Sequence, residues 1–162
     1  ACGRFVPSVI PVSCSVGLLV GNILYTHSVL DLDPDRRAGK KTLAVLLGNE
    51  HRAVWGSGLF MLAIYASVLI GVFRSVLSPT TLLVFLSLPL AVGLWHLLWI
   101  HAIEPDRKVE RAFWMGPMEN WDIMLVNHLD WFMIRWFLSR NLMVLFCGLL
   151  AVSILLERVF VP

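Results

Sequence analysis

Long stretches of the chain carry no acidic or basic residue. None occurs from Phe5 to Leu30, from Ala53 to Phe73, from Ser75 to Ile103 or from Asn141 to Leu156. As helices, the first three runs are long enough to cross a hydrocarbon core of about 30 Å. The fourth reaches that length as Trp136–Leu156, with the Arg140 head extended toward the headgroups. The pattern predicts an all-α, polytopic helical membrane bundle of four transmembrane helices. Pro11 and Pro89 fall inside these runs and predict kinks, which membrane bundles tolerate when neighbours satisfy the freed backbone groups. Gly17, Gly21 and the Gly56/Gly58 pair predict close helix contacts. Trp55, Trp95, Trp99 and Trp136 lie near span ends, as an interfacial aromatic belt requires.

The segment Trp121–Phe137 has a second periodicity. Trp121, Leu125, Leu129, Phe132, Met133, Trp136 and Phe137 share one helical face, while Asp122, Asn127, Asp130 and Arg135 fall largely on the other. This predicts an interfacial amphipathic helix that turns into the last span, or a plain extension of that span.

Composition narrows the class. Apolar residues make up 58% of the 162 and charged residues 15%, with a mean hydropathy of +0.78. Soluble domains run at roughly 45–50% apolar and about 25% charged. A disordered chain, a disulfide mini-protein and a basic nucleic-acid module are excluded, and a net charge of +2 points to no nucleic-acid partner. Cys2, Cys14 and Cys147 form no CxxC or Cys/His metal spacing, and Cys14 and Cys147 read as small buried hydrophobes. The first apolar run lacks a strongly basic flank and contains Pro7 and Pro11, unlike a secretory signal. The chain opens at Ala1 rather than Met, which leaves room for an N-terminal part.

Charge distribution sets an expected orientation. With four crossings, loops 26–52 and 104–140 share one side and carry ten basic residues. These are Arg36, Arg37, Lys40, Lys41, Arg52, Arg107, Lys108, Arg111, Arg135 and Arg140. The other side has three, Arg4, Arg74 and Arg158. The positive-inside rule places the two loops in the cytoplasm and Pro162 outside.

The candidate chemistry lies between Asn22 and Gly48. Asp31, Asp33 and Asp35 end an apolar helix, and Arg36, Arg37, Lys40 and Lys41 follow. Closely spaced carboxylates repel and must be hydrated or neutralised. Mg²⁺ prefers one or two carboxylates together with waters and substrate phosphates. The basic residues suit the phosphates. The local chemistry therefore reads as a Mg²⁺–diphosphate site beside lipid; the same charges also suit a loop that only fixes topology. An i, i+4 register would align His27, Asp31 and Asp35. Pro34 opposes it, so the span is expected to end near Asp33, with Asp33 capping a new turn and the carboxylates converging at a helix-to-loop corner. An EF-hand is excluded by Arg36 at the sixth position and Thr42 at the twelfth.

At these residues the chain resembles the UbiA family of intramembrane aromatic prenyltransferases. The match is D-x-x-x-D at Asp31 and Asp35, followed by G-K-x-T-L-x-V-x-L-G at Gly39–Gly48. It is most similar to the menaquinone-type branch, which joins a polyprenyl chain to dihydroxynaphthoate. Where many members of the quinone branch carry Asn shortly before the first Asp, this chain has Thr26, His27 and Ser28. The family fold is a bundle of nine transmembrane helices with two Asp-rich motifs facing each other across a cytoplasmic-side cavity. Only the second motif is present here, and the first, N-D-x-x-D-x-x-x-D, is absent. The resemblance implies that residues 1–162 are the C-terminal part of one such domain, its last four helices, inactive without the N-terminal half.

The resemblance also implies an integral protein of a bacterial cell membrane that uses Mg²⁺, a polyprenyl diphosphate and an aromatic acceptor. Asp31 and Asp35 would be the catalytic Mg²⁺ ligands, with Asp33 assisting. Lys40 would contact the diphosphate, with Arg36 and Lys41 behind it. His27 is expected to be a hydrogen-bonded interior histidine, and Asn22 and Tyr25 packing residues. His96 and His101 are expected in the interface, and Arg135 and Arg140 to snorkel. No family role attaches to Gly116–Asp122. A small non-catalytic bundle with a cation- or partner-binding loop is the alternative, as is a family member with a non-quinone acceptor.

Overall fold

The computed structural model describes residues 6–105 and 107–160, and side chains as far as Glu157. Expectations attached to Ala1, Cys2, Arg4, the Arg158 side chain and Pro162 lie outside the described residues. Among those described there are helices and no strand. The elements are α1 (Val9–Leu30), α2 (Leu32–Arg37), α3 (Leu43–Leu47), α4 (Glu50–Phe73), a 3-10 helix (Pro79–Ser87), α5 (Leu88–Ile103), a 3-10 turn (Phe113–Met115), α6 (Trp121–Val126) and α7 (Asp130–Phe160).

Four helical stretches are long and apolar enough to cross a membrane: Val9–Leu30, Glu50–Phe73, Pro79–Ile103 and Asp130–Glu157. They form a closed ring in which α1 and α5 each pack against both α4 and α7. His27 meets Phe132 edge-on, His51 packs on Trp99, and His101 stacks on Trp131. These contacts place the segments 31–49 and 104–129 at the same end of the bundle.

Polar side chains tie the helices together inside the ring. Tyr25 donates to the Ala53 carbonyl at 2.7 Å, and Ser57 Oγ donates to Asn22 Oδ1 at 3.2 Å. Ser15 and Ser67 hydroxyls lie 2.6 Å apart, and Tyr65 and Ser87 hydroxyls 2.8 Å. In an apolar surround such bonds spare each polar atom the cost of burial without a partner. Asn22 and Tyr25 are thus packing residues bracing α1 against α4, as expected.

The small-residue expectation holds in part. A Cβ at Gly56 would collide with the Tyr25 hydroxyl, and one at Gly58 would sit 2.9 Å from Trp95 Nε1. Gly17 faces open space, so it permits no contact. The three tryptophans Trp55, Trp95 and Trp99 form one cluster with ring centroids 5.5–5.9 Å apart.

Several expectations are corrected. Pro11 is the third residue of α1 and Pro89 the second of α5. Pro11 therefore falls in a first turn, which needs no N–H from that position, whereas Pro89 stays inside the third span, at the junction where 3-10 gives way to α. The third span begins as nine residues of 3-10 helix, opened by Ser78 Oγ accepting from Thr80 N, before it relaxes to α at Leu88. Trp121–Phe137 is not one helix: it breaks at Asn127–Leu129, where His128 adopts φ +55. Asp130 onward extends the last span, and the residues before it form a separate short helix with no buried residue. Cys14 is exposed rather than buried.

Candidate functional site

The carboxylates stand where α1 gives way to α2. The break falls at Asp31 (φ −95, ψ 16), two residues before the expected position. Asp31 N donates to His27 O at 2.9 Å, and Asp35 N donates to Asp31 O at 2.8 Å. The i, i+4 register of His27, Asp31 and Asp35 therefore survives the corner in the backbone. Pro34 is accommodated as the third residue of α2, where its missing N–H costs nothing.

The three acids differ in environment. Asp35 is buried, with 7% of its side chain exposed, and its Oδ1 lies 2.6 Å from Lys40 Nζ. Asp31 is half-buried, whereas Asp33 is exposed and pairs with Arg36 at 3.2 Å. Asp33 is therefore drawn to the surface instead of joining its neighbours. Among the described residues no three His, Cys, Asp or Glu side chains come close enough to hold a metal ion. The expected three-carboxylate convergence is corrected to a pair of acids one turn apart. Two carboxylates still match what Mg²⁺ takes from protein when phosphates and waters complete its shell.

The basic residues are held by the turns that follow. Gly39 takes φ +69, a conformation that costs glycine nothing, and returns the chain so that Lys40 N reaches Asp35 O at 3.0 Å. The carboxylate of Asp35, by its hydrogen bond and its charge, holds the Lys40 ammonium above the usual lysine range, and Asp31 adds a smaller push of the same sign. Arg36 Nη2 donates to the Gly48 carbonyl at 3.0 Å and so clamps α2 to the end of α3. Thr42 Oγ1 caps α3 by accepting from Val45 N, and Asn49 Oδ1 caps α4 by accepting from Arg52 N at 2.8 Å. The Gly-Lys-Lys-Thr-Leu run is thus a turn, one lysine paired with Asp35, a second exposed lysine and a helix cap in succession. Lys41 and Arg37 are exposed and make no ion pair among the described residues.

Residues around the corner depart from their expected roles. His27 packs edge-on against Phe132 at 5.2 Å and Trp136 at 6.3 Å, so aromatic contact replaces the expected hydrogen bond. Thr26 is fully buried, and its hydroxyl has no hydrogen-bond partner among the described residues. Arg135 does not snorkel. It is 0% exposed, donating from Nε to Leu97 O at 3.0 Å and from Nη1 to Trp131 O. Arg140 does reach outward, pairing with Glu119 at 2.6 Å with its guanidinium 4.7 Å from the Phe137 ring. His96 is exposed, but His101 stacks on Trp131 with Nδ1 buried.

The Gly116–Asp122 stretch, without a role in sequence, is docked. Asn141 Nδ2 donates to Met115 O at 2.8 Å and Pro117 O at 3.0 Å, and Met115 and Met118 are buried. Trp114 lies so close to Gly93 on α5 that a Cβ there would meet its ring at 2.6 Å. The signal available in sequence was one polar pair, Arg140–Asn141, opening an apolar span.

Comparisons with known proteins bear on this geometry. A model of the UbiA prenyltransferase family matches residues 1–123, which includes the acidic corner and its basic turns. Over 78 residues the chain is 34% identical to a 1,4-dihydroxy-2-naphthoate octaprenyltransferase of Bacillus subtilis (strain 168). The alignment covers 48% of this chain and spans 25% of the length of that relative. No solved structure matches the chain significantly. With a family match over most of its length, a four-span helical bundle and the acidic corner inside the matched region, the chain belongs to the UbiA prenyltransferase family.

Proposed function

We propose that this chain supplies one acidic side of a prenyl-transfer site, as the C-terminal part of a longer enzyme. In this reading Asp31 and Asp35 hold a Mg²⁺ ion, Asp33 assists through water, and Lys40, Arg36 and Lys41 bind the diphosphate of a polyprenyl donor. The observation that carries it is the Asp35–Lys40 pair: a buried carboxylate one turn beyond a second one, with an ammonium 2.6 Å away, in a family of prenyltransferases. Mg²⁺, when bound, would neutralise the diphosphate and make it a better leaving group.

The protein's own part is electrostatic and positional. Lys40 stands between Asp35 and open solvent, so its ammonium can turn from carboxylate to an incoming diphosphate without losing a partner. Arg36, held to Gly48 O, offers its remaining N–H groups at the same corner. The allylic C–O bond breaks with its electron pair passing to the diphosphate, and the carbon bonds to an aromatic ring carbon, which regains aromaticity by losing its proton or, at a carboxylate-bearing carbon, CO2. Basic side chains placed before the reaction need no reorganisation as the charge develops.

The acceptor is a dihydroxynaphthoate in this reading, supported by the name of the Bacillus subtilis relative, and the route then belongs to menaquinone synthesis. The two loops face the cytoplasm and the C-terminus lies outside, supported by the ten-to-three excess of basic residues. The test is prenyl transfer by membranes carrying the full-length enzyme. Asp31→Ala and Asp35→Ala should each cut transfer at least 100-fold while the protein still accumulates. Undiminished turnover in both would overturn the proposal and favour a non-catalytic bundle.

A further inference from the structure

The other basic residue of interest is at the far side of this end, where α5 meets α7. Arg135 is 0% exposed, yet no carboxylate pairs with it among the described residues. Two of its nitrogens are used on backbone carbonyls, Leu97 O and Trp131 O, and Nη2 is buried without a partner. A guanidinium keeps its charge in proteins, so this site holds an uncompensated buried cation. Leu97 stands one turn before His101 on α5, and Trp131 one turn before Arg135 on α7. Arg135 therefore lies behind the stacked His101–Trp131 pair, whose rings are 5.3 Å apart and 16° from parallel. His101 Nδ1 and Ser139 Oγ, the latter one turn beyond Arg135, are buried without partners as well.

In front of that wall is a cavity of about 350 Å³ lined by His101, Pro105, Arg107, Lys108, His128, Asp130 and Trp131. Its rim carries both signs among the described residues: Lys108 and Arg107, the latter paired with Glu104 at 3.4 Å, stand with Asp130. No residue here is common to the acidic corner. Of the unpartnered atoms, His101 Nδ1 belongs to a residue of the lining, while Arg135 and Ser139 lie outside it. Arg107, Lys108 and His128 at the cavity, with the Arg135 charge behind the wall, suit an anion with several oxygens.

We infer that the α5–α7 cavity is a second anion site that binds a phosphate group, with Lys108, Arg107 and His128 at the rim and Arg135 supplying positive charge from beneath the His101–Trp131 wall. The phosphate is either free in solution or carried by a lipid headgroup, since the cavity opens at the end of a membrane bundle.

The experiment uses the full chain in detergent, with chelator present so that divalent metal cannot bridge phosphate to the acidic corner. Equilibrium dialysis with radiolabelled phosphate and diphosphate measures free-anion binding. Native mass spectrometry after extraction from phosphatidylglycerol or phosphatidylcholine bilayers measures retained lipid. Lys108→Gln combined with Arg107→Gln changes only exposed side chains and should keep the fold; Arg135→Gln removes the buried charge. Anion binding weakened at least tenfold by the rim pair, with Asp31→Asn unaffected, supports a free-phosphate site. Selective retention of phosphatidylglycerol, lost in the rim pair, supports a headgroup site. Neither signal in the wild type, binding indifferent to the rim pair, or equal loss in Asp31→Asn would overturn the inference and leave these atoms as merely hydrated.

Discussion

Lys40 Nζ sits 2.6 Å from Asp35 Oδ1, although the lysine is largely exposed and the aspartate is buried. The contact exists because Gly39 turns the chain back and Lys40 N bonds Asp35 O. The raised Lys40 ammonium has a definite consequence for pH. Its pairing contributes fully below the ordinary lysine pKa of about 10.4 and is lost as pH rises through the higher folded value. The melting temperature of the wild type should therefore fall more between pH 9 and 12 than that of Lys40→Met. Parallel melting curves across that range would contradict it.

Removing the same ammonium should act on substrate binding. Under the proposed function, Lys40→Gln in the full-length enzyme should raise the KM for the prenyl diphosphate about tenfold, which corresponds to about 1.4 kcal/mol. Steady-state kinetics with varied donor checks this, and a KM within twofold of wild type would remove Lys40 from the diphosphate contacts.

Gly56 and Tyr25 are a coupled pair, because any Cβ at Gly56 would strike the hydroxyl that donates to Ala53 O. Gly56→Ala should destabilise the bundle by about 1–3 kcal/mol. Adding Tyr25→Phe removes the colliding oxygen and should recover part of that loss. Unfolding titrations of the single and double variants measure the coupling, and strictly additive losses would refute the contact.

Gly48 adopts φ +87 and its carbonyl receives Arg36 Nη2. Gly48→Ala should cost about 1–2 kcal/mol through the left-handed backbone alone. Arg36→Leu should loosen α2 from α3 without that backbone cost. Hydrogen exchange over residues 32–48 distinguishes them: Arg36→Leu should speed exchange in α2 several-fold.

Asn141 holds the 112–120 segment to α7 through two carbonyls. Asn141→Leu leaves both acceptors without that donor and should cost about 1–3 kcal/mol locally. Trypsin cleavage at Lys108 and Arg111 should accelerate several-fold in the variant, while cleavage near Lys40 and Lys41 should not change. Equal acceleration at both sites would mean general unfolding instead.

Four apolar runs, the acidic corner with its basic turns, and the family resemblance were legible in the residues, because charge is costly in a bilayer and the runs mark themselves. Span boundaries were less so. The start of α7 at Asp130 and the break at His128 depend on what the α6 segment packs against, and hydropathy carries no record of that. Arg135 is the clearest case. In sequence it is a basic residue near a span end, for which snorkelling is the ordinary outcome, and only the approach of α5 encloses it and supplies Leu97 O. Asp33 and Asp35 are similar as residues in a D-x-D-x-D string, yet one turns to Arg36 at the surface and the other is buried beside Lys40. By itself the sequence determined a four-span member of a prenyl-transfer family with an acidic corner, since composition, charge spacing and motif are local properties. The tertiary structure decided which arginine is enclosed and which loop is docked, since Arg135–Leu97 and Asn141–Met115 join residues distant along the chain, while the turn at Gly39 decided which aspartate pairs with Lys40.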